Sequence, residues 1–202
     1  QLATMAVAAR DAMGKTKLQA VADRGYYSGP QIKACHDAGI AAILPKSMTS
    51  NAKAEGRFDK GDFIYIARDD EYKCPAGQRA IYRSTREENG MQIRRYWSSA
   101  CPQCPMKAQC TPSDYRRISR WEHEAVLEGV QRRLDKHPDA MMLRRRTVEH
   151  VFGTLKHWMG STHFLTRKLA NVRTEMSLHV LAYNLKRVIS LLGIAKTTKA
   201  MR

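Results

Sequence analysis

The chain has 202 residues, of which 43% are hydrophobic, enough for one well-packed domain with a small inserted module but leaving little room for two full domains. Its 35 Lys and Arg outnumber its 19 Asp and Glu, and the formal net charge of +16 predicts a polyanionic partner, with nucleic acid as the first candidate. No apolar run approaches the roughly 20 residues of a bilayer-spanning helix, so we expect a cytoplasmic protein without a membrane segment.

The first part of the chain predicts a helix followed by a βαβ unit. The helix is expected over residues 2–14, where Ala, Met and Leu recur at helical spacing. Two short apolar runs, residues 18–23 and 40–46, predict strands, and a helix is expected between them at about 31–38. The order strand, helix, strand implies that the two strands are parallel.

The rest of the chain predicts an antiparallel sheet and then helices. Alternating segments separated by polar and glycine-containing turns indicate a hairpin or small sheet at residues 63–74, 79–84 and 91–100. Three helices are expected at about 119–136, 138–159 and 172–192. Residues 131–202 carry fifteen Lys and Arg against four acids, so we expect phosphate contacts to concentrate there.

Two carboxylates occupy positions suited to metal chemistry. Asp23 and Lys46 end the two parallel strands, and the carboxyl edge of such strands favours ligands and catalytic groups. On the second of the three later helices, Arg145, Glu149 and Lys156 share one face. Each carboxylate also has an ordinary interpretation, Asp23 as a cap of a turn and Glu149 as a surface residue in intrahelical ion pairs. Together, in a basic chain, they fit two-metal phosphoryl transfer.

Four of the five cysteines have the spacing of a metal site. Cys101 and Cys104 form a Cys-x-x-Cys pair, Cys110 follows, and Cys74 ends a predicted strand. Four thiolates so spaced could bind Zn²⁺ in a zinc-ribbon-like site or hold an iron–sulfur cluster, and the alternative is a set of free or transiently oxidised thiols. Cys35, on a predicted helix, is expected to be an ordinary buried thiol.

Three segments resemble the DDE transposases of bacterial insertion sequences, in particular the group with a cysteine-bearing insertion before the catalytic Glu. They are 21-VADRGYYSG-29, 40-IAAILPKSMTSNAKAEGRF-58 and 144-RRRTVEHVFGTLKHWMG-160. The family's second catalytic Asp lies in an Asp-basic-Gly-Tyr motif, which Asp23 begins here and Tyr26 completes.

The family signature around the catalytic Glu is Tyr, two residues, Arg, three residues, Glu, six residues, Lys. It matches Arg145, Glu149 and Lys156, and Met142 stands where the family has Tyr. The resemblance implies Asp23 and Glu149 as catalytic ligands of Mg²⁺ or Mn²⁺. It is also the reason to expect DNA contacts from the cationic side chains of the site, which are Lys46, Arg145 and Lys156.

The implied fold is α/β, a partial RNase H-like domain with an inserted module. Residues 1–61 would form the partial core, residues 62–117 the small antiparallel β and cysteine insertion, and residues 118–202 a helical segment that completes the domain. The implied function is DNA transposition by metal-dependent strand cleavage and strand transfer, a form of DNA recombination. Its partners would be transposon ends and target DNA, and the protein would be a nucleoid-associated homo-oligomer.

The first catalytic Asp of the family has no match in residues 1–22, and the family's amino-terminal DNA-binding helices have none either. We therefore expect the carboxyl-terminal portion of a transposase, with two of three carboxylates and with reduced or no activity of its own. A non-catalytic DNA-binding remnant is the alternative. A third interpretation is a nuclease of another fold with an iron–sulfur cluster.

Overall fold

A computed structural model describes residues 1–47 and 51–200, and so residues 48–50 of the second family-like segment lie outside the described residues. The helices are α1 (Leu2–Ala12), α2 (Gly29–Asp37), α3 (Asn51–Ala54), α4 (Glu124–Lys136), α5 (Ala140–Arg144), α6 (His150–Gly153), α7 (Leu169–Leu192) and α8 (Ile194–Ala200). The strands are β1 (Leu18–Val21), β2 (Ile40–Ile43), β3 (Ile64–Ile66), β4 (Glu71–Lys73), β5 (Arg79–Glu88), β6 (Met91–Trp97) and β7 (Ile118–Trp121).

Two compact units make up the chain, Gln1–Pro138 and Asp139–Arg202. The first contains both sheets together with α1 to α4, and the second is helical. The fold is therefore a mixture of helix and sheet. The predicted boundaries near residues 61 and 117 both fall inside the first unit, and the three-part division stays a prediction.

The predicted parallel βαβ unit is confirmed. Strands β1 and β2 pair in parallel from Leu18 with Ile40 to Val21 with Ile43, and α2 connects them. Helices α1, α2 and α4 cover this pair, and the core between them contains Ile32, Cys35 and Val130, each 1% exposed or less. The expectation that Cys35 is a buried thiol is thus also confirmed, and burial raises the pKa of that thiol.

The second sheet is antiparallel, with its five strands in chain order from β3 to β7. Its long hairpin of β5 and β6 turns at Asn89 and Gly90, which both have positive φ, of 52° and 73°. Such angles at both central residues define the tight turn that matches the twist of paired strands, and Asn-Gly is its preferred sequence. Aromatic side chains fill the core of this sheet, with Tyr96 fully buried.

One helix prediction is wrong in part. A helix was expected from about residue 119, but Ile118–Trp121 is β7, which pairs with β6, and α4 begins only at Glu124. Ile118 and Arg120 are buried and Ser119 between them is exposed, as expected where one face of an edge strand covers a core. Its partner strand β6 lies more than 20 residues earlier in the chain.

The helix predicted at 138–159 is present but not uniformly α-helical. Two π-helical turns, Arg145–Glu149 and Thr154–Trp158, interrupt it, with α6 between them. The helix predicted at 172–192 is α7, which begins three residues earlier. Within the described residues, no single helix is long and apolar enough to cross a membrane, and only α7 and α8 taken together, bent by 118°, reach that length and composition.

The core around β1 and β2 yields a test of stability. Replacing Ile32 by Ala removes a 1% exposed side chain and should lower the free energy of unfolding by about 2–5 kcal/mol. The matched control is Met5→Ala on α1, where the side chain is 61% exposed and the expected change is within about 0.5 kcal/mol. Urea unfolding followed by the fluorescence of Trp121, which belongs to the same unit, measures both; equal effects would contradict this core.

Candidate active site

The carboxyl ends of β1 and β2 lie side by side and carry two of the predicted site residues. The N–H of Ala22 donates to the carbonyl of Ile43 at 3.0 Å, so the strands are still paired where they end. Asp23 follows at once, partly buried, and Lys46 follows β2 and is exposed. The structure thus places Asp23 and Lys46 at one edge of the sheet, as the parallel order of the strands predicts.

Asp23 also caps a turn, which is the ordinary structural role that the sequence allowed for it. Its Oδ1 accepts a hydrogen bond of 2.9 Å from the N–H of Gly25 at the start of a single 3₁₀ turn, Arg24–Tyr26. A carboxylate has two oxygens with several lone pairs, so a capping bond and metal ligation are compatible for this group. The turn fixes the direction of the carboxylate at the strand end.

The same region contains a partly buried ion pair that sequence analysis missed. Lys60 donates to Oε1 of Glu124 at 2.6 Å, and the other oxygen of Glu124 accepts from the N–H of Trp121 at 3.2 Å. Burial lowers the pKa of Lys60, with Glu124 opposing that shift and the charge of Lys46 adding to it. The ring of Trp121 would lie 3.2 Å from a Cβ at Gly29, so a side chain there would require the ring to shift by a few tenths of an ångström.

Lys60 and Glu124 are 64 residues apart, and no spacing rule links residues so distant in the chain. The pair matters for the site because it places a second ammonium group near Lys46. Glu124 opens the observed helix α4, and an acid in that position usually indicates nothing more than a favourable helix start.

In the second unit, Glu149 is exposed and lies among arginines. Its Oε1 is 3.8 Å from Nη1 of Arg144 and 3.9 Å from Nε of Arg145, and 59% of the Glu149 side chain is exposed. The structure therefore brings Arg145 and Glu149 together, as predicted, and adds Arg144. An exposed carboxylate with two cationic neighbours is suited to a site that receives both a cation and phosphates.

Lys156 lies on the second π turn and is exposed. Hydrogen bonding from i to i+5 places an additional residue in each π turn. Residues seven apart, such as Glu149 and Lys156, therefore do not lie on one face of this helix as they do in an uninterrupted α-helix. Lys156 lines a shallow cavity between its own helix and α7, with Phe152, His163 and His179 among the other walls.

A network of hydrogen bonds holds the segment that follows Lys156 against α7. Glu175 accepts from the N–H groups of Leu165 and Thr166, at 2.8 and 3.0 Å, and from the Thr166 hydroxyl at 2.6 Å. The Ser161 hydroxyl lies 2.8 Å from Nδ1 of His179, one turn further along α7. The hydrogen bonds from Leu165 and Thr166 lower the pKa of Glu175 to about 2, and the bond from the Thr166 hydroxyl contributes most.

The predicted catalytic residues are divided between the two units, Asp23 and Lys46 in the first and Arg145, Glu149 and Lys156 in the second. Carboxylate oxygens are the donors that Mg²⁺ and Mn²⁺ prefer, and in that respect both acids fit. Among residues 1–47 and 51–200, no group of three or more His, Cys, Asp or Glu side chains stands where it could hold a metal ion.

The cysteines with metal-site spacing converge on one cavity. Cys74, Cys101, Cys104 and Cys110 all line it, and all are reduced and partly buried. Burial raises the pKa of Cys110, the charge of Arg116 lowers it, and the three neighbouring thiols raise it further. The four predicted residues thus line one cavity, whereas their binding of a metal stays a prediction.

A family model described as "Transposase DDE domain" matches residues 73–189, more than half of the chain. The chain therefore belongs to the DDE transposases. The match contains Glu149 with its cationic neighbours and the four clustered cysteines, whereas Asp23 and Lys46 precede it. No curated protein and no solved structure gives a significant match.

The Glu175 network gives a pH test. Its carboxylate has a lower pKa in the folded chain, so its stabilising contribution is present above about pH 4.5 and is lost as the pH falls toward 2. NMR titration of the Leu165 and Thr166 amides should show a transition with a midpoint near 2. Glu175→Gln should abolish it, and Glu122→Gln on the exposed surface should not. A midpoint at or above about 4.3 would contradict the network.

Proposed function

We propose that the chain takes part in DNA transposition by metal-dependent DNA strand cleavage and strand transfer. The observation that carries the proposal is the match to a transposase DDE domain over the residues that include Glu149 and its arginines. The net charge of +16 supports a DNA partner.

We further propose that the parallel strands β1 and β2 belong to a partial RNase H-like core, with the antiparallel sheet and its cysteines as an insertion.

In this proposal, Asp23 and Glu149 hold Mg²⁺ or Mn²⁺, which when bound activates the attacking water or 3′-hydroxyl and stabilises the leaving oxygen. The capping bond from Gly25 keeps the Asp23 carboxylate in a fixed direction, so that it need not be ordered when a ligand arrives. Glu149 pairs with Arg144 and Arg145 on the same helix, at 3.8 and 3.9 Å.

The cations of the two units bind the DNA in this scheme. Lys46 is exposed at the sheet edge beside Asp23. Arg145 and Lys156 are exposed on the helix of Glu149, and Lys156 would bind a terminal phosphate. Pairing of two transposon ends implies a homo-oligomer, and we expect the protein to be nucleoid-associated in the cytoplasm.

A non-catalytic DNA-binding protein is the second candidate. It is favoured by the ordinary structural roles that both carboxylates have, Asp23 as the cap of a turn and Glu149 in ion pairs with Arg144 and Arg145. Such a protein would bind DNA through the same lysines and arginines but would leave the strands intact, so a cleavage assay separates the two functions.

The cleavage assay uses the whole chain, a duplex carrying the ends of the element, and Mg²⁺ or Mn²⁺. Where the chain nicks this duplex, Asp23→Asn and Glu149→Gln should each reduce the rate by about a hundredfold or more, because each removes a charged metal ligand. The control is Asp11→Asn on α1, an exposed carboxylate for which no loss is expected. Nicking that survives both active-site changes would refute the assignment, and binding without nicking would establish the second candidate.

DNA affinity measured against salt concentration tests the cationic residues separately. Lys46→Ala and Lys156→Ala should each lower the slope of log K against log salt by about 1, the value for one lost phosphate contact. Lys17→Ala is the matched control, since Lys17 is exposed at the opposite end of β1 and carries the same charge. If Lys17→Ala lowers the slope as much as Lys46→Ala, DNA binding is diffuse over the unit and the proposed edge is wrong.

A further inference from the structure

The four clustered cysteines reach their cavity from three separate turns. Cys74 opens the turn between β4 and β5, where its N–H donates to the carbonyl of Gln78 at 2.9 Å and its own carbonyl accepts from Gly77 at 2.8 Å. Gly77 has a φ of +80°, which a residue with a side chain adopts only with strain. This tight turn directs Cys74 toward the segment that follows β6.

That segment, residues 98–117, is an irregular connection between two paired strands. It contains two single 3₁₀ turns, Cys101–Gln103 and Lys107–Gln109. The carbonyl of Cys101 accepts from the N–H of Cys104 at 3.2 Å, and the N–H of Cys110 donates to the carbonyl of Lys107 at 3.0 Å. Connections of this length without a helix or strand are uncommon in compact domains unless something holds them or they serve a function.

The cavity into which the four thiols converge has a volume of about 30 Å³. That is enough for one particle of the size of a water molecule or a metal ion. Its other walls are largely apolar, with Phe58, Phe63, Ala80 and Met106 among them. A water molecule would find few hydrogen-bonding partners in such a space.

Among the described residues that line the cavity there is no Asp, Glu or His, and the charged ones are the cations Lys107 and Arg116. The Nε–H of Arg116 is buried and finds no hydrogen-bonding partner within residues 1–47 and 51–200, while its guanidinium lies 5.6 Å from the centre of the Phe63 ring. A buried donor without an acceptor is costly. Deprotonated thiols in the cavity would supply the missing acceptor and the missing negative charge.

We propose that Cys74, Cys101, Cys104 and Cys110 form a tetrathiolate Zn²⁺ site that fastens residues 98–117 to the turn after β4. Zinc takes four thiolates in a tetrahedron with Zn–S distances of about 2.3 Å. Its complex with four thiolates has a net charge of −2, which Lys107 and Arg116 balance. Each thiol releases its proton to solvent as it binds, and no electron is transferred.

The described side chains do not yet stand in a tetrahedron, since no three metal-ligating groups among them could share an ion as they lie. The site therefore requires rotation of the Cys side chains about χ1 into the cavity, with the backbone turns already in place. Because it joins two segments of a small module, the metal would stabilise the fold and take no part in strand cleavage.

The test is metal analysis of the whole chain, expressed with zinc in the medium and purified with a reductant. About one Zn²⁺ per chain is expected, and Co²⁺ in its place should give the intense thiolate-to-cobalt absorption of a four-sulfur tetrahedral site. Cys101→Ser and Cys110→Ser should lose the bound zinc. Cys35→Ser is the matched control, because Cys35 lies in the other core of the same unit, and it should keep the zinc.

The wild-type chain alone can overturn the proposal, whatever the stability of the variants. A reduced, folded chain that is purified metal-free and takes up neither Zn²⁺ nor Co²⁺ would exclude the site. Iron with visible absorption would identify an iron–sulfur cluster instead, and a Cys101–Cys104 disulfide in a chain that binds no metal when reduced would identify a redox pair. DNA nicking is measured separately, so failure of the zinc site leaves the proposed function standing.

Discussion

The first unit depends on the carboxylates of α4, which neutralise one buried and one partly buried cation of other elements. Arg120 of β7 is 8% exposed, stacks 3.6 Å from the centre of the Tyr65 ring and pairs with Glu128, and the partly buried Lys60 pairs with Glu124. Removing Glu128 would leave the buried charge of Arg120 without an acidic partner, which is strongly destabilising for such a charge. The opposite face of α4 packs Val130 into the core of β1 and β2, so one helix joins the parallel pair to the antiparallel sheet.

This connection stabilises a parallel pair whose strands are only four residues long. Two such strands form a small sheet on their own, and α4 reinforces it directly, since Arg133 donates to the carbonyl of Ala42 at 2.9 Å. The strand ends that lead to Asp23 and Lys46 are thereby held by a helix that lies about eighty to a hundred residues later in the chain. Glu149 is positioned quite differently, on a helix of the second unit and among its own neighbouring arginines.

Local patterns in the sequence predicted the parts of the fold that depend on neighbouring residues. The βαβ order, the β5–β6 hairpin and α7 all have periodicities or turn signals contained within one segment. Strand β7 was missed because its identity comes from pairing with β6, and the Lys60–Glu124 pair was missed because it joins distant segments.

For the site, the sequence suggested Asp23 and Lys46 at the strand edge and Glu149 on the helix. The family match confirmed the class of protein. Ligation of a metal by Asp23 and Glu149 depends on side-chain geometry that no sequence pattern specifies.

The two π turns on either side of α6 have a consequence for the permissible length of the helix that carries Glu149. A π turn contains one residue more than the α turn that would replace it, so a single deletion within Arg145–Glu149 could be absorbed by return to α-helical bonding. Because the extra residue is contained within the π turn, the residues beyond it, Lys156 included, would keep nearly their present direction around the axis. A deletion from an α-helical turn such as His150–Gly153 would instead rotate everything beyond it by about 100°.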